Sequence, residues 1–99
     1  MATLHVLSHS PFADSRLSSC LRLLGPDDGL LLTGDAVYAL AAGSEPQRLL
    51  ERELAADRLF ALGEDLVARN LGAPDRLVAV DYAGFVELTL RFDRVNTWL

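Results

Sequence analysis

The chain has 99 residues, 51% of them hydrophobic, with nine Arg, no Lys and 14 acidic side chains for a net charge of −5. One domain over residues 1–99 is expected, and at this size only about two thirds of the unfolded surface is buried. So apolar a composition implies either an unusually complete core or an apolar surface meant for another chain. The acidic balance argues against nucleic-acid binding by this chain alone, because such affinity comes largely from cationic side chains that displace counterions from phosphates. A single cysteine, Cys20, excludes an internal disulfide and suits a reducing cytosol. No signal peptide is apparent, and no run approaches the ~20 apolar residues of a membrane span, so a cytoplasmic protein without membrane attachment is expected.

In chain order, the apolar run Leu4–Leu7 reads as a first buried strand. Asp14 or Ser15 can cap a first helix whose Leu17, Leu21 and Leu24 share one face, and Gly25-Pro26 ends it. Leu30–Leu32 is a second strand; Asp35 then caps a helix carrying Val37, Leu40 and Ala41, closed by Gly43. Pro46 sits in the first turn of a short helix with Leu49, Leu50 and Leu54. Leu59–Leu62 is a third strand, followed by a helix over Glu64–Asn70 with Asp65 and Arg69 paired at i, i+4. Leu77–Val80 is a fourth strand. Apolar runs alternating with helical patterns predict a layered βαβ fold. In the last third, Val86, Leu88, Leu90 and Phe92 alternate with Glu87, Thr89 and Arg91, which by pattern alone is a strand signature.

Cys20 is the first candidate for chemistry. A reactive cysteine needs an accessible thiol of lowered pKa, and Arg16 and Arg22 stand close enough in sequence to favour a thiolate. Its place beside Leu17 and Leu21, on the border of the apolar stripe, supports the competing reading of a packed core thiol. His5 and His9 could face the same way from a strand, but no third ligand with metal-site spacing accompanies them, so they read as ordinary hydrogen-bonded histidines. Ser10 beside His9 lacks an oriented base, and Ser10-Pro11 reads as the strand's end. The strand C-termini, where open parallel sheets bind ligands, present His9-Ser10, Gly34-Asp35, Gly63-Glu64 and Asp81-Tyr82. That acidic edge, without a glycine-rich fingerprint, would repel phosphate.

Three segments carry a resemblance: LHVLSHSPF from Leu4 to Phe12, LFALGEDLVARNL from Leu59 to Leu71, and LVAVDYAGFVELTLRFDRVNTWL from Leu77 onward. In this order and spacing they resemble the TusB/DsrH family of sulfur-relay subunits. The resemblance implies a three-layer α/β/α domain with a mostly parallel sheet of four or five strands. It implies a helix from about Ala83 to Phe92 and a last strand at Val95–Trp98. The apolar residues of that helix then spread over roughly 200°, and another subunit is expected to cover the face around Phe85, Leu88 and Phe92. The family's role implies a sulfurtransferase complex that relays sulfane sulfur for 2-thiolation of the tRNA wobble uridine. Its partners would be TusC-like and TusD-like chains, two of each in a heterohexamer. The TusD-like chain would hold the principal cysteine and pass sulfur to a TusE-like carrier. No cofactor or metal is implied. Cys20 matches the sulfur-binding position of the DsrH branch and is the one candidate catalytic residue, as a persulfide carrier. Two alternatives stand beside this reading. One is a DsrH-like subunit of a DsrE–DsrF–DsrH complex in dissimilatory sulfur oxidation, and the other a structural subunit with no reactive thiol. The chain departs from the family where Asp-Gly-Val is usual and Asp35-Ala36-Val37 stands instead, which makes a positive φ at that position improbable.

Overall fold

A computed structural model describes residues 2–72 and 78–98. Five strands, β1 (Thr3–Leu7), β2 (Gly29–Leu32), β3 (Leu59–Leu62), β4 (Val78–Val80) and β5 (Arg94–Trp98), form one sheet in the order β4-β3-β2-β1-β5. Every neighbouring pair is parallel. The runs Gly29–Leu32 and Leu59–Leu62 are buried at every residue, because a parallel strand in mid-sheet is covered on both faces. Leu77, expected to open the fourth strand, lies outside the described residues.

Helices α1 (Arg16–Leu23), α2 (Glu45–Glu53) and α3 (Gly63–Ala68) occupy one layer with a 3₁₀ helix at Gly34–Leu40. Their Leu17, Cys20, Val37, Leu40, Leu50 and Leu66 pack with Leu7, Leu30, Leu32, Leu59 and Ala61 of the sheet. The segment predicted as a helix from Asp35 is the 3₁₀ helix. Its buried pairs Ala36/Ala39 and Val37/Leu40 are spaced by three, which fits the 3₁₀ repeat, where side chains at i and i+3 eclipse. The positive φ nearby belongs to Gly34, at 50°, one residue before the family's Asp-Gly-Val position. α2 starts at the N-cap Ser44, whose Oγ accepts the Gln47 N–H at 3.3 Å, while the Gln47 side chain accepts the Gly43 N–H at 2.8 Å. This approximates a capping box.

The other face is covered by one helix, α4 (Tyr82–Arg91), which joins β4 at one edge to β5 at the other and so crosses the whole sheet. The ambiguous last third is therefore helix then strand. Asp81 caps the helix by accepting the Gly84 N–H at 2.7 Å. Leu88, Phe85 and Phe92 pack on Leu4, Val6, Leu31 and Phe60, and Phe92 meets Phe60 edge to face.

That packing corrects one expectation. Phe85, Leu88 and Phe92 are covered by the chain's own sheet, not left for another subunit. The outward stripe is Tyr82, Val86 and Leu90, exposed at 60%, 58% and 81%. Val78 and Val95 flank it; both are exposed and pair with strand residues of the face beneath α4. No helix among the described residues is long and apolar enough to cross a membrane.

Candidate functional site around Cys20

Cys20 sits one turn after Leu17 on the inner side of α1, with no exposed surface. Burial pushes its thiol up to about 12, and the negative charge of Asp28 adds to the effect. The guanidiniums that could have favoured a thiolate are engaged or turned away: Arg16 pairs with Asp14, and Arg22 is exposed. The charged group coupled to the sulfur is therefore an anion, which opposes ionisation. A cleft of about 210 Å³ runs outside α1 and is lined by Pro11, Leu17, Ser18, Pro46 and Leu49 among others. Cys20 is not in its wall.

Asp28, in the turn before β2, organises the buried polar cluster next to this thiol. Its carboxylate accepts the Thr3 N–H at 2.9 Å and the Gly25 N–H at 2.8 Å, and meets His5 Nε2 at 3.4 Å. Burial pushes its pKa up, but the hydrogen bonds from Gly25, Thr3 and His5 outweigh that and hold it below the usual carboxylate value. Arg58 donates to the backbone carbonyls of Asp28 and Gly25, both at 2.6 Å, which fixes the turn. On the other side of His5, Nδ1 accepts the Trp98 indole N–H at 3.1 Å. No polar atom in this cluster is left without a partner among the described side chains.

At the strand C-terminal edge, the carboxylates of Asp35 after β2 and Asp65 after β3 are engaged internally. Arg69 binds Asp35 at 2.9 Å and approaches Asp65 at 3.6 Å, and Asp65 accepts the Gly34 N–H at 2.8 Å. The hydrogen bonds that Arg69 donates to the Asp35 carboxylate raise its pKa further. His9 is exposed beside Ser8, far in character from the buried His5, so the two histidines serve different surroundings. Ser10 accepts the Phe12 N–H, as a turn residue does. No group of three His, Cys, Asp or Glu among the described residues is placed to hold a metal.

Two contributors were not singled out from sequence: Asp28 and Trp98. A carboxylate preceding an apolar strand and a lone tryptophan were the available signals. Their meeting at His5 depends on the parallel register that sets His5 beside Leu30 and Asn96.

The fold places the chain in the class of five-stranded, all-parallel α/β domains. The solved structure described as ychN protein from E. coli shares this fold, with a TM-score of 0.79 over 99% of this chain and 100% of that one, at 21% identity. Residues 9–95 match the model of the family described as DsrH like protein. TusB proteins of Yersinia pestis (strain Pestoides F) and Yersinia pseudotuberculosis serotype O:1b are each 38% identical over 97 residues, covering 96% of this chain and 99% of theirs. The chain belongs to the TusB/DsrH family.

Proposed function

We propose that this chain is the TusB-like subunit of a cytoplasmic sulfurtransferase complex that relays sulfane sulfur for 2-thiolation of the tRNA wobble uridine, and that it contributes structure and surface instead of a reactive thiol. The observation that carries the second half is the enclosure of Cys20, with a thiol raised to about 12 beside Asp28. A persulfide carrier needs an exposed thiolate near neutral pH, and this environment works against both requirements. The 38% identity to TusB chains supports the tRNA pathway over the sulfur-oxidation alternative.

In this reading the partners are TusC-like and TusD-like chains, two of each. The TusD-like chain carries the accepting cysteine and passes sulfur to a TusE-like carrier. The exposed stripe Tyr82, Val86 and Leu90 is this chain's contribution to the assembly. Direct tRNA binding is weak: Arg48 and Arg52 are paired with Glu45 and Glu53, and Arg58 is spent on backbone carbonyls. The test is sulfur transfer by the assembly carrying Cys20→Ser. Transfer at the wild-type rate is expected, and its loss from an intact assembly would replace this reading with the carrier one.

A further inference from the structure

The His5 ring is held between a partner that can only donate and a partner that can only accept. The indole N–H of Trp98 donates to Nδ1 at 3.1 Å, with the Asn96 amide at 3.5 Å from the same atom. The Asp28 carboxylate lies on Nε2 at 3.4 Å. Indole has no acceptor and an ionised carboxylate no donor. Both contacts therefore demand the neutral ring with its proton on Nε2.

His5 is only 6% exposed, and Trp98 packs against the core cluster that contains Leu7 and Cys20. β5 is an edge strand, hydrogen-bonded among the described residues only to β1, and its residues from Arg94 to Thr97 are exposed. Trp98 is thus the side chain through which β5 reaches the core on that face, and its polar atom is satisfied by one imidazole nitrogen.

We propose that His5 and Trp98 form an acid-released latch on the last strand. A second proton on the ring goes to Nδ1, where it faces the Trp98 N–H, donor against donor. The ring's positive charge remains stabilised by Asp28, so the contact that gives way is the one to Trp98. The groups facing the ring are Asp28 from the turn before β2 and Asn96 and Trp98 from β5. Behind Asp28 stand the Arg58 guanidinium on its carbonyl and the Cys20 thiol of α1, held in its neutral form. Of these groups the imidazole is the one with a free acceptor nitrogen, Nδ1, on which an added proton would meet the Trp98 donor. The backbone pairing of β1 with β5 persists, so release loosens the sheet edge without unfolding the domain.

Trp98 is the chain's only tryptophan, so its indole N–H gives an unambiguous NMR signal and its emission an unambiguous fluorescence reading. Losing a hydrogen bond worth about 1.4 kcal/mol corresponds to about a tenfold loss of protection. Between about pH 8 and pH 5, the expected result is a shift of the indole N–H resonance and a tenfold loss of protection at the β5 amides. Both should follow the titration of the His5 ring nitrogens. His5→Asn offers an acceptor near the Nδ1 position but does not titrate, so its Trp98 signals should stay flat with pH. Trp98→Phe removes the N–H and should give β5 the same protection at both ends of the range. Trp98 signals that ignore the ring's titration, or a ring that takes no second proton before the fold is lost, would overturn the proposal.

Discussion

Replacing Cys20 separates a core thiol from a carrier through energetics alone. The side chain has no exposed surface and belongs to the cluster that holds Leu7, Leu17 and Leu30. Cys20→Ala removes one buried sulfur and should cost about 1–1.5 kcal/mol in transfer and cavity terms. Cys20→Ser keeps the volume but places a hydroxyl in apolar surroundings, at roughly 1–3 kcal/mol. A back-bond to the carbonyl of Arg16, four residues earlier, can offset part of that. Serine should therefore be no better tolerated than alanine, with a Tm lowered on the order of 10 °C.

The thiol also imprints a pH dependence. Its pKa is raised on folding, from 9.0 to about 12, so its contribution is fully present below pH 9 and is lost as pH rises toward 12. Through that window the unfolded chain releases a proton that the folded chain keeps, and stability falls by about 1.4 kcal/mol per pH unit. Cys20→Ala lacks this loss. Urea unfolding at about pH 8 and about pH 10 should show the wild-type advantage over alanine shrinking or reversing. Iodoacetamide should barely touch the folded protein at neutral pH, since only about one thiol in 100,000 is ionised when the pKa is near 12. Fast alkylation of the folded chain, or a gap between wild type and alanine that ignores pH, would refute the reasoning.

Asp28→Asn should destabilise by roughly 2–4 kcal/mol, because an amide has one acceptor oxygen for the Thr3 and Gly25 N–H groups. The Asp28 pKa is lowered on folding, so its contribution is present above the ordinary carboxylate value and lost as pH falls through the folded one. The gap between wild type and variant in chemical unfolding should accordingly close below about pH 4. Gly34→Ala should cost about 1–2 kcal/mol, read from its thermal midpoint, since φ there is +50° and the new Cβ would stand 3.3 Å from the Ser8 carbonyl oxygen. Leu90→Asp, at the most exposed point of the α4 stripe, should leave unfolding within about 0.5 kcal/mol of wild type yet reduce co-purification with partner chains.

The strands were legible because Leu59–Leu62 and Leu30–Leu32 are uninterrupted apolar runs, the form that burial on both faces demands. The last helix was not legible from pattern. Its alternation mixes two helical faces, Phe85, Leu88 and Phe92 turned inward and Val86 and Leu90 turned outward, and both are apolar. Two apolar faces imitate a period of two, and the family resemblance was needed to decide. The 3₁₀ helix escaped for a related reason, since Val37 and Leu40 satisfy a three-residue spacing as well as an α-helical one. At Cys20, the border position on the apolar stripe already pointed to packing. Its electrostatic neighbour could not be read locally, because Asp28 arrives through the turn before β2 and not along α1. His5 showed the same limit, its partners Asp28 and Trp98 coming from elements 23 and 93 residues away.

If this chain works as a subunit, the mass of what it forms with its partners will show it. Co-expressed with TusC-like and TusD-like chains, it should elute as one stoichiometric complex holding two copies of each, measured by light scattering. That complex should lose this chain when the Tyr82, Val86 and Leu90 stripe is made polar. A stable 10.8 kDa monomer that elutes apart from both partners would contradict the account.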